Sequence, residues 1–113
     1  MTPAQFRVLA LSLPGASEGA HMGHSDFRVG GKIFASLGYP DLDWAMVKLP
    51  PEMQEMYVAA EPEIFTPVNG AWGRKGSTNV RLAAATKARV EGALRMAWET
   101  RREGKGAQRR ALA

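Results

Sequence analysis

Apolar residues at the start of the chain recur at helical spacing. Phe6, Leu9, Ala10 and Leu13 share one face. Thr2 followed by Gln5 forms a capping-box pattern, and Pro3 falls at the first helical position, where its missing N–H is harmless. Met1 and Phe6 are spaced for a hydrophobic staple. Leu13-Pro14-Gly15 stops the helix, because proline disfavours helical geometry in the residue before it and glycine permits the turn. Ala16–Ser25 has no periodicity and reads as a connecting loop. Asp26–Val29 and Lys32–Leu37 then flank Gly30-Gly31, which predicts a hairpin.

Tyr39-Pro40-Asp41-Leu42-Asp43 predicts a second turn, and Trp44–Leu49 a third strand. Pro50-Pro51 breaks the sheet and opens a short helix with Met53, Met56, Tyr57 and Ala60 facing inward; Glu61-Pro62 closes it. Ile64–Val68 reads as a short edge strand, since Pro67 cannot donate to a ladder. Asn69–Gly76 reads as a mobile glycine-rich loop, and Ser77–Leu82 alternates as a last strand. From Thr86 to about Glu103 the pattern is helical, with Val90, Ala93, Leu94, Ala97 and Trp98 as the inner stripe and Glu91 and Arg95 paired outside. Gly92 costs this helix about 1 kcal/mol relative to alanine. Gly104 is a natural stop.

The order α-β-β-β-α-β-(β)-α predicts an α+β fold: an antiparallel sheet of four to five strands with helices packed on one face and the other face open to water. Residues 1–104 form a single domain, and 105–113 read as a frayed basic tail.

Strand alternation assigns side chains to the open face. If the aliphatic sets Phe27/Val29, Ile33/Ala35/Leu37, Ala45/Val47/Leu49 and Val80/Leu82 all face the helices, the outer face carries Arg28, Lys32, Phe34, Trp44, Met46, Lys48, Asn79 and Arg81. A two-residue loop at Gly30-Gly31 would instead put Phe27 and Ile33 on opposite faces. A three-residue loop with a bulge buries all five apolar side chains of the hairpin and is the expectation here. Cations interleaved with rings suit nucleic acid, the cations neutralising phosphates and the rings offering stacking surface. Aromatic residues on a sheet are nevertheless core residues more often than ligand platforms.

Charge sharpens this picture. Residues 1–72 carry four basic and eight acidic side chains, and residues 73–113 eleven basic and three acidic, so the two segments hold −4 and +8 of the net +4. Such asymmetry suits an anionic polymer. With no cysteine in the chain, disulfides, thiolate metal sites and cysteine nucleophiles are excluded. No apolar run approaches the roughly 20 residues of a membrane helix, and the N-terminus shows no signal-peptide pattern, so a cytoplasmic protein without membrane contact is expected.

Catalytic motifs are weak. His21, His24 and Asp26 hint at a metal but lack helical spacing or a third firm ligand, and read as loop residues. Gly70–Ser77 resembles a phosphate loop only superficially, because Lys75 precedes Gly76 rather than following it. Asp41 and Asp43 lie in a turn. The expectation is a non-enzymatic protein with no cofactor and no metal.

Leu11-Ser12-Leu13-Pro14-Gly15-Ala16, Glu18 and Asp26-Phe27-Arg28-Val29-Gly30-Gly31-Lys32-Ile33-Phe34-Ala35 resemble the opening of the MmcQ/YjbR family of small bacterial proteins. Val47-Lys48-Leu49-Pro50-Pro51-Glu52, Ala60-Glu61-Pro62-Glu63-Ile64-Phe65, Trp72 and Val80-Arg81-Leu82 continue the likeness over roughly residues 5–100. The resemblance implies a fold similar to bacterial frataxin, in a double-wing arrangement proposed to bind DNA. The loop Asn69–Ser77 is richer in glycine and charge than the family's usual turn. Iron binding of the frataxin kind is not implied, since residues 1–14 contain no Asp or Glu.

Two functional expectations follow. The first is DNA binding through Arg28, Lys32, Lys48 and Arg81 on the sheet face and Arg74 and Lys75 on the wing loop, with Trp72 or Trp44 stacking. The second is a protein partner, a homodimer contact or a small molecule on an apolar patch of Phe34, Trp44 and Met46.

Overall fold

Thr2 caps helix α1 (Pro3–Leu11) as its sequence requires: its hydroxyl accepts from the Gln5 amide at 3.1 Å, and the Gln5 side chain accepts from the Thr2 amide at 2.9 Å. The computed structural model describes residues 1–39 and 41–103. Gly104 and the basic tail 105–113 lie outside the described residues.

After α1 comes strand β1 (Ser17–His21), where the polar sequence reads as a loop. It is an edge strand, held by its ladder to β2 (His24–Val29) rather than by an apolar face, so no alternation announces it. Strands β3 (Lys32–Leu37) and β4 (Trp44–Lys48) follow, then α2 (Pro51–Ala60), β5 (Phe65–Pro67), a short helix α3 (Ala71–Arg74), β6 (Ser77–Arg81) and α4 (Lys87–Glu103). The six strands form one antiparallel sheet in the order β1-β2-β3-β4-β6-β5. The fold is thus α+β, with one strand more than the sequence pattern predicts. The edge position of β5 agrees with Pro67.

Helices α1 and α4 lie against β3 and β4. Helix α2 joins them on the same face: Tyr57 meets Phe65 edge-on at 5.1 Å, and Glu61 accepts from Arg89 of α4 at 2.9 Å. The predicted stripe of α4 is buried in full, and Trp98 donates its indole N–H to the Pro14 carbonyl at 2.8 Å. Two details differ from expectation. Val58 rather than Met56 joins Met53 and Tyr57 against the core, leaving Met56 and Ala60 exposed. On the outside of α4 the ion pair is Lys87–Glu91, at 3.8 Å, in place of Glu91–Arg95.

The hairpin between β2 and β3 decides which side chains reach the open face. Val29 pairs with Lys32, so the loop holds only Gly30 and Gly31, both with positive φ (58° and 79°). The expected three-residue loop is therefore replaced by a two-residue one. The register conflict is resolved further along, by a bulge. Arg28 pairs with Ile33 but Phe27 with Ala35, leaving Phe34 as the extra residue.

Phe34, two residues on from Lys32, turns inward and is fully buried with Phe6 and Phe27. Ile33 takes the open face beside Arg28, and Lys32 follows Val29 to the helix side of the hairpin tip. Phe34 thus leaves the expected apolar patch, and Lys32 the expected basic face. Both departures have one cause: the two-residue loop pairs Lys32 with Val29 and alternation carries Phe34 inward with it, and the bulge then returns Ala35 and Leu37 to the helix side.

Phe34→Ala is expected to cost about 3–5 kcal/mol by urea unfolding, as for other buried phenylalanines. Ile33→Ala, on the half-buried outer face, should cost clearly less. The reverse order would mean that the bulge is misplaced.

Candidate nucleic-acid interface

Pairing across the sheet places Arg28, Ile33, Ser36, Trp44, Met46, Lys48, Asn79 and Arg81 on the side away from the helices. The arginine nearest the β1 edge is already matched. Arg28 Nε donates to Asp26 Oδ1 at 2.7 Å, and Nη2 donates to Oδ2 at 3.1 Å. Asp26 is buried beneath it, and its hydrogen bonds and charge raise the Arg28 pKa further above the usual value. Gly19, opposite Asp26, leaves the room: a Cβ there would lie 2.9 Å from Asp26 Oδ1 and 3.0 Å from Arg28 Nε. Neutralised in this way, Arg28 offers less to a phosphate than its position suggests. Asp26 is likewise committed, and among the described residues no three His, Cys, Asp or Glu side chains are grouped to hold a metal.

Two basic-aromatic pairs remain, at opposite ends of β4. At one end Arg81 stands over the Trp44 ring, 5.9 Å from its centroid, with Met46 half-buried alongside. At the other end, Lys48 and Lys75 lie 5.0 and 5.8 Å from the centroid of Trp72. Arg74 is exposed on the same short helix as Trp72. Among the described residues no carboxylate pairs with Lys48, Arg74 or Lys75.

This second cluster sits on a tightly held corner. Lys48 ends β4 and pairs with Ser77, and helix α3 covers that end of the sheet. Gly76 approaches the Leu49 carbonyl so closely that a Cβ would lie 1.7 Å from its oxygen; Gly73 stands in the same relation, 1.7 Å, to the Val68 carbonyl. Gln54 of α2, itself buried, donates its side-chain amide to the carbonyls of Gly73 at 2.9 Å and Ser77 at 3.0 Å. What the sequence presents as a glycine-rich loop is a packed turn in which glycine is needed for contact between backbones. Gln54 is the positioning residue that the sequence conceals. Its only signal is a polar side chain one turn before Tyr57 and Val58 in an otherwise apolar stripe.

The corner is electropositive. Lys48 has its pKa lowered, first by burial and then by the charges of Arg101 and Lys75. Arg101, near the end of α4, thus adds its field to a site where the sequence gives no reason to place it. Of the seven basic and aromatic residues expected at a nucleic-acid surface, Lys48, Trp72 and Lys75 come together, Arg74 is exposed on the same short helix as Trp72, Arg81 stands at the far end of the face, Arg28 is paired internally, and Lys32 points elsewhere.

Residues 11–100 match the protein-family model described as YjbR. The chain belongs to the YjbR family. The fold is similar to the crystal structure of the Deinococcus radiodurans protein DR2400, described there by the family domain DUF419. The TM-score is 0.73 at 21% identity, over 98% of this chain and 87% of that one. Among proteins of curated function none matches this chain. The YjbR assignment agrees with the hairpin and Lys48-Leu49-Pro50 motifs that carry the resemblance in sequence.

Because the unfolded chain holds the Lys48 proton more tightly than the folded one, the charged lysine opposes folding at neutral pH, and this cost fades as pH rises toward 10.5. Lys48→Met should therefore stabilise the fold relative to the parent at neutral pH, by a margin that narrows on approaching pH 10.5. Trp72→Ala, which uncovers the ammonium, should move the Lys48 pKa upward in an NMR titration. An unchanged pKa would show that the indole contributes nothing to its burial.

Proposed function

We propose that this YjbR protein is a non-catalytic DNA-binding protein whose contact surface is the Lys48–Trp72–Arg74–Lys75 corner. The observation that carries this reading is the meeting of Lys48 and Lys75 at an exposed indole, neither paired with a carboxylate among the described residues, with Arg74 exposed on the rigid turn that carries the indole. The Lys48 pKa is lowered first by burial and then by the charges of Arg101 and Lys75, and those two nearby charges would also attract phosphate. The +8 of residues 73–113 would add long-range attraction. Arg81 with Trp44 lies on the same sheet face and extends the contact along β4. Contacts from lysine and arginine to phosphates carry no sequence information, so backbone contact with little sequence preference is the expected mode.

Binding of a labelled duplex, followed by anisotropy across a salt series, tests the proposal. Affinity should fall steeply with salt. The exposed pair Arg74→Gln, Lys75→Gln should lower the log–log slope by about 0.9 for each phosphate that is no longer neutralised. A double variant that matches the parent in both affinity and slope rejects this surface.

One observation favours a second reading. With Arg28 neutralised by Asp26, the middle of the open face is close to neutral and presents Ile33, Trp44 and Met46, each half-buried. This suits a protein partner or a second copy of the chain. That reading predicts association insensitive to salt and abolished by Trp44→Ala, measured by sedimentation at two ionic strengths. A monomer under both conditions removes the homodimer form of it.

A further inference from the structure

Trp72 is 62% exposed although its backbone belongs to one of the most constrained turns of the molecule. Burial of a large ring favours folding by a few kcal/mol, and of the aromatic residues only Trp72 and Tyr39 are left largely in water among the described residues; Trp72 is the one mounted on a packed turn beside unpaired cations. Phe6, Phe27, Phe34 and Phe65 are fully buried, and Trp98 nearly so. The turn cannot carry Trp72 inward, because carbonyl groups of Val68 and Leu49 already occupy the space beneath Gly73 and Gly76. Gln54 ties both ends of the turn to α2. The backbone that carries the ring is therefore fixed.

The ammonium groups beside it are not fixed in the same way. Lys48 and Lys75 stand 5.0 and 5.8 Å from the ring centre on flexible stems, neither held by a carboxylate among the described residues. An incoming planar group can take the ring face while the amines move to phosphates on either side of it. An exposed ring on a rigid turn, flanked by cations, suits single-stranded nucleic acid, which is held by base stacking on aromatic side chains beside basic groups.

We propose that the corner prefers an unpaired DNA strand to a duplex, with Trp72 stacking on one base and Lys48 and Lys75 contacting the adjoining phosphates. The proposal rests on the DNA-binding reading and narrows it. In a duplex both faces of every internal base are covered by its neighbours, so stacking on Trp72 would first require a base step to be opened. An unpaired strand offers the base face directly. The phosphate contacts are common to both ligands; only the stacking differs.

The test uses the full chain with two fluorescein-labelled probes of equal nucleotide number, an oligothymidylate and a blunt hairpin duplex, at low salt. The parent should bind the oligothymidylate on the order of tenfold more tightly, the range of one base–aromatic stack. Trp72→Ala should remove that preference and leave duplex affinity nearly unchanged, and Trp72→Phe should restore part of it. Trp72 is exposed enough for both variants to fold, and matching thermal unfolding curves confirm this. Salt-dependent duplex binding without a preference in the parent, or a preference that survives Trp72→Ala, overturns the stacking proposal and leaves DNA binding standing. Failure to bind either probe at low salt overturns both. The parent's own ratio of affinities decides the matter even if a variant proves unstable.

Discussion

The corner on which the functional reading stands depends on two places where the chain passes itself with no room for a side chain. Gly76 meets the Leu49 carbonyl and Gly73 meets that of Val68, and these approaches bring α3 down onto the end of the sheet. Gly76 also needs its φ of 111°, a region closed to most residues. Gln54 ties the turn to α2 by donating its side-chain amide to the carbonyls of Gly73 and Ser77, which also accept from the backbone amides of Gly76 and Val68. Removing any of these elements would free α3, and Trp72, Arg74 and Lys75 would no longer share an address beside Lys48.

Where local rules act within a few residues, the sequence was readable. The Thr2 cap, the Pro14-Gly15 stop, the inner stripe of α4 and the alternation of β4 each rest on a spacing confined to one element. The misreadings came from elements stabilised from outside. Strand β1 has no apolar face because the β2 ladder and the Arg7–Glu18 ion pair, at 2.6 Å, supply its contacts. The bulge at Phe34 reflects a demand of the core: with a two-residue Gly30-Gly31 turn, only an extra residue lets both Phe27 and Ala35 face the helices. Of the residues expected on the open face, the hairpin register moves Lys32 and Phe34 to the helix side. Lys48 and Trp72 were visible as residue types, but their meeting depends on a turn whose glycines look flexible in sequence and are packed in three dimensions.

Electrostatics divides the open face. Toward β1, Asp26 lies under Arg28 in the space left by Gly19 and makes that side neutral. Toward Lys48 no such compensation exists among the described residues, and burial and neighbouring cations both disfavour the ammonium. A charged group kept at some cost to folding, beside an indole kept in water, concentrates two unfavourable placements at one point. Natural folds tend to retain such placements where a ligand relieves them.

Gly92 of α4 shows the same trade in a different setting. In sequence it looks like a defect in an otherwise good helix, and replacing it with alanine would appear to be a simple route to a thermostable variant. A Cβ there would stand 3.1 Å from the Tyr57 hydroxyl oxygen, so the phenol would have to tilt against Phe65, its edge-on neighbour. The helix would gain about 1 kcal/mol of intrinsic propensity, and whether the phenol can give way by a few tenths of an ångström sets the sign of the change. Gly92 thus spaces the seam between α2 and α4 as well as weakening its own helix.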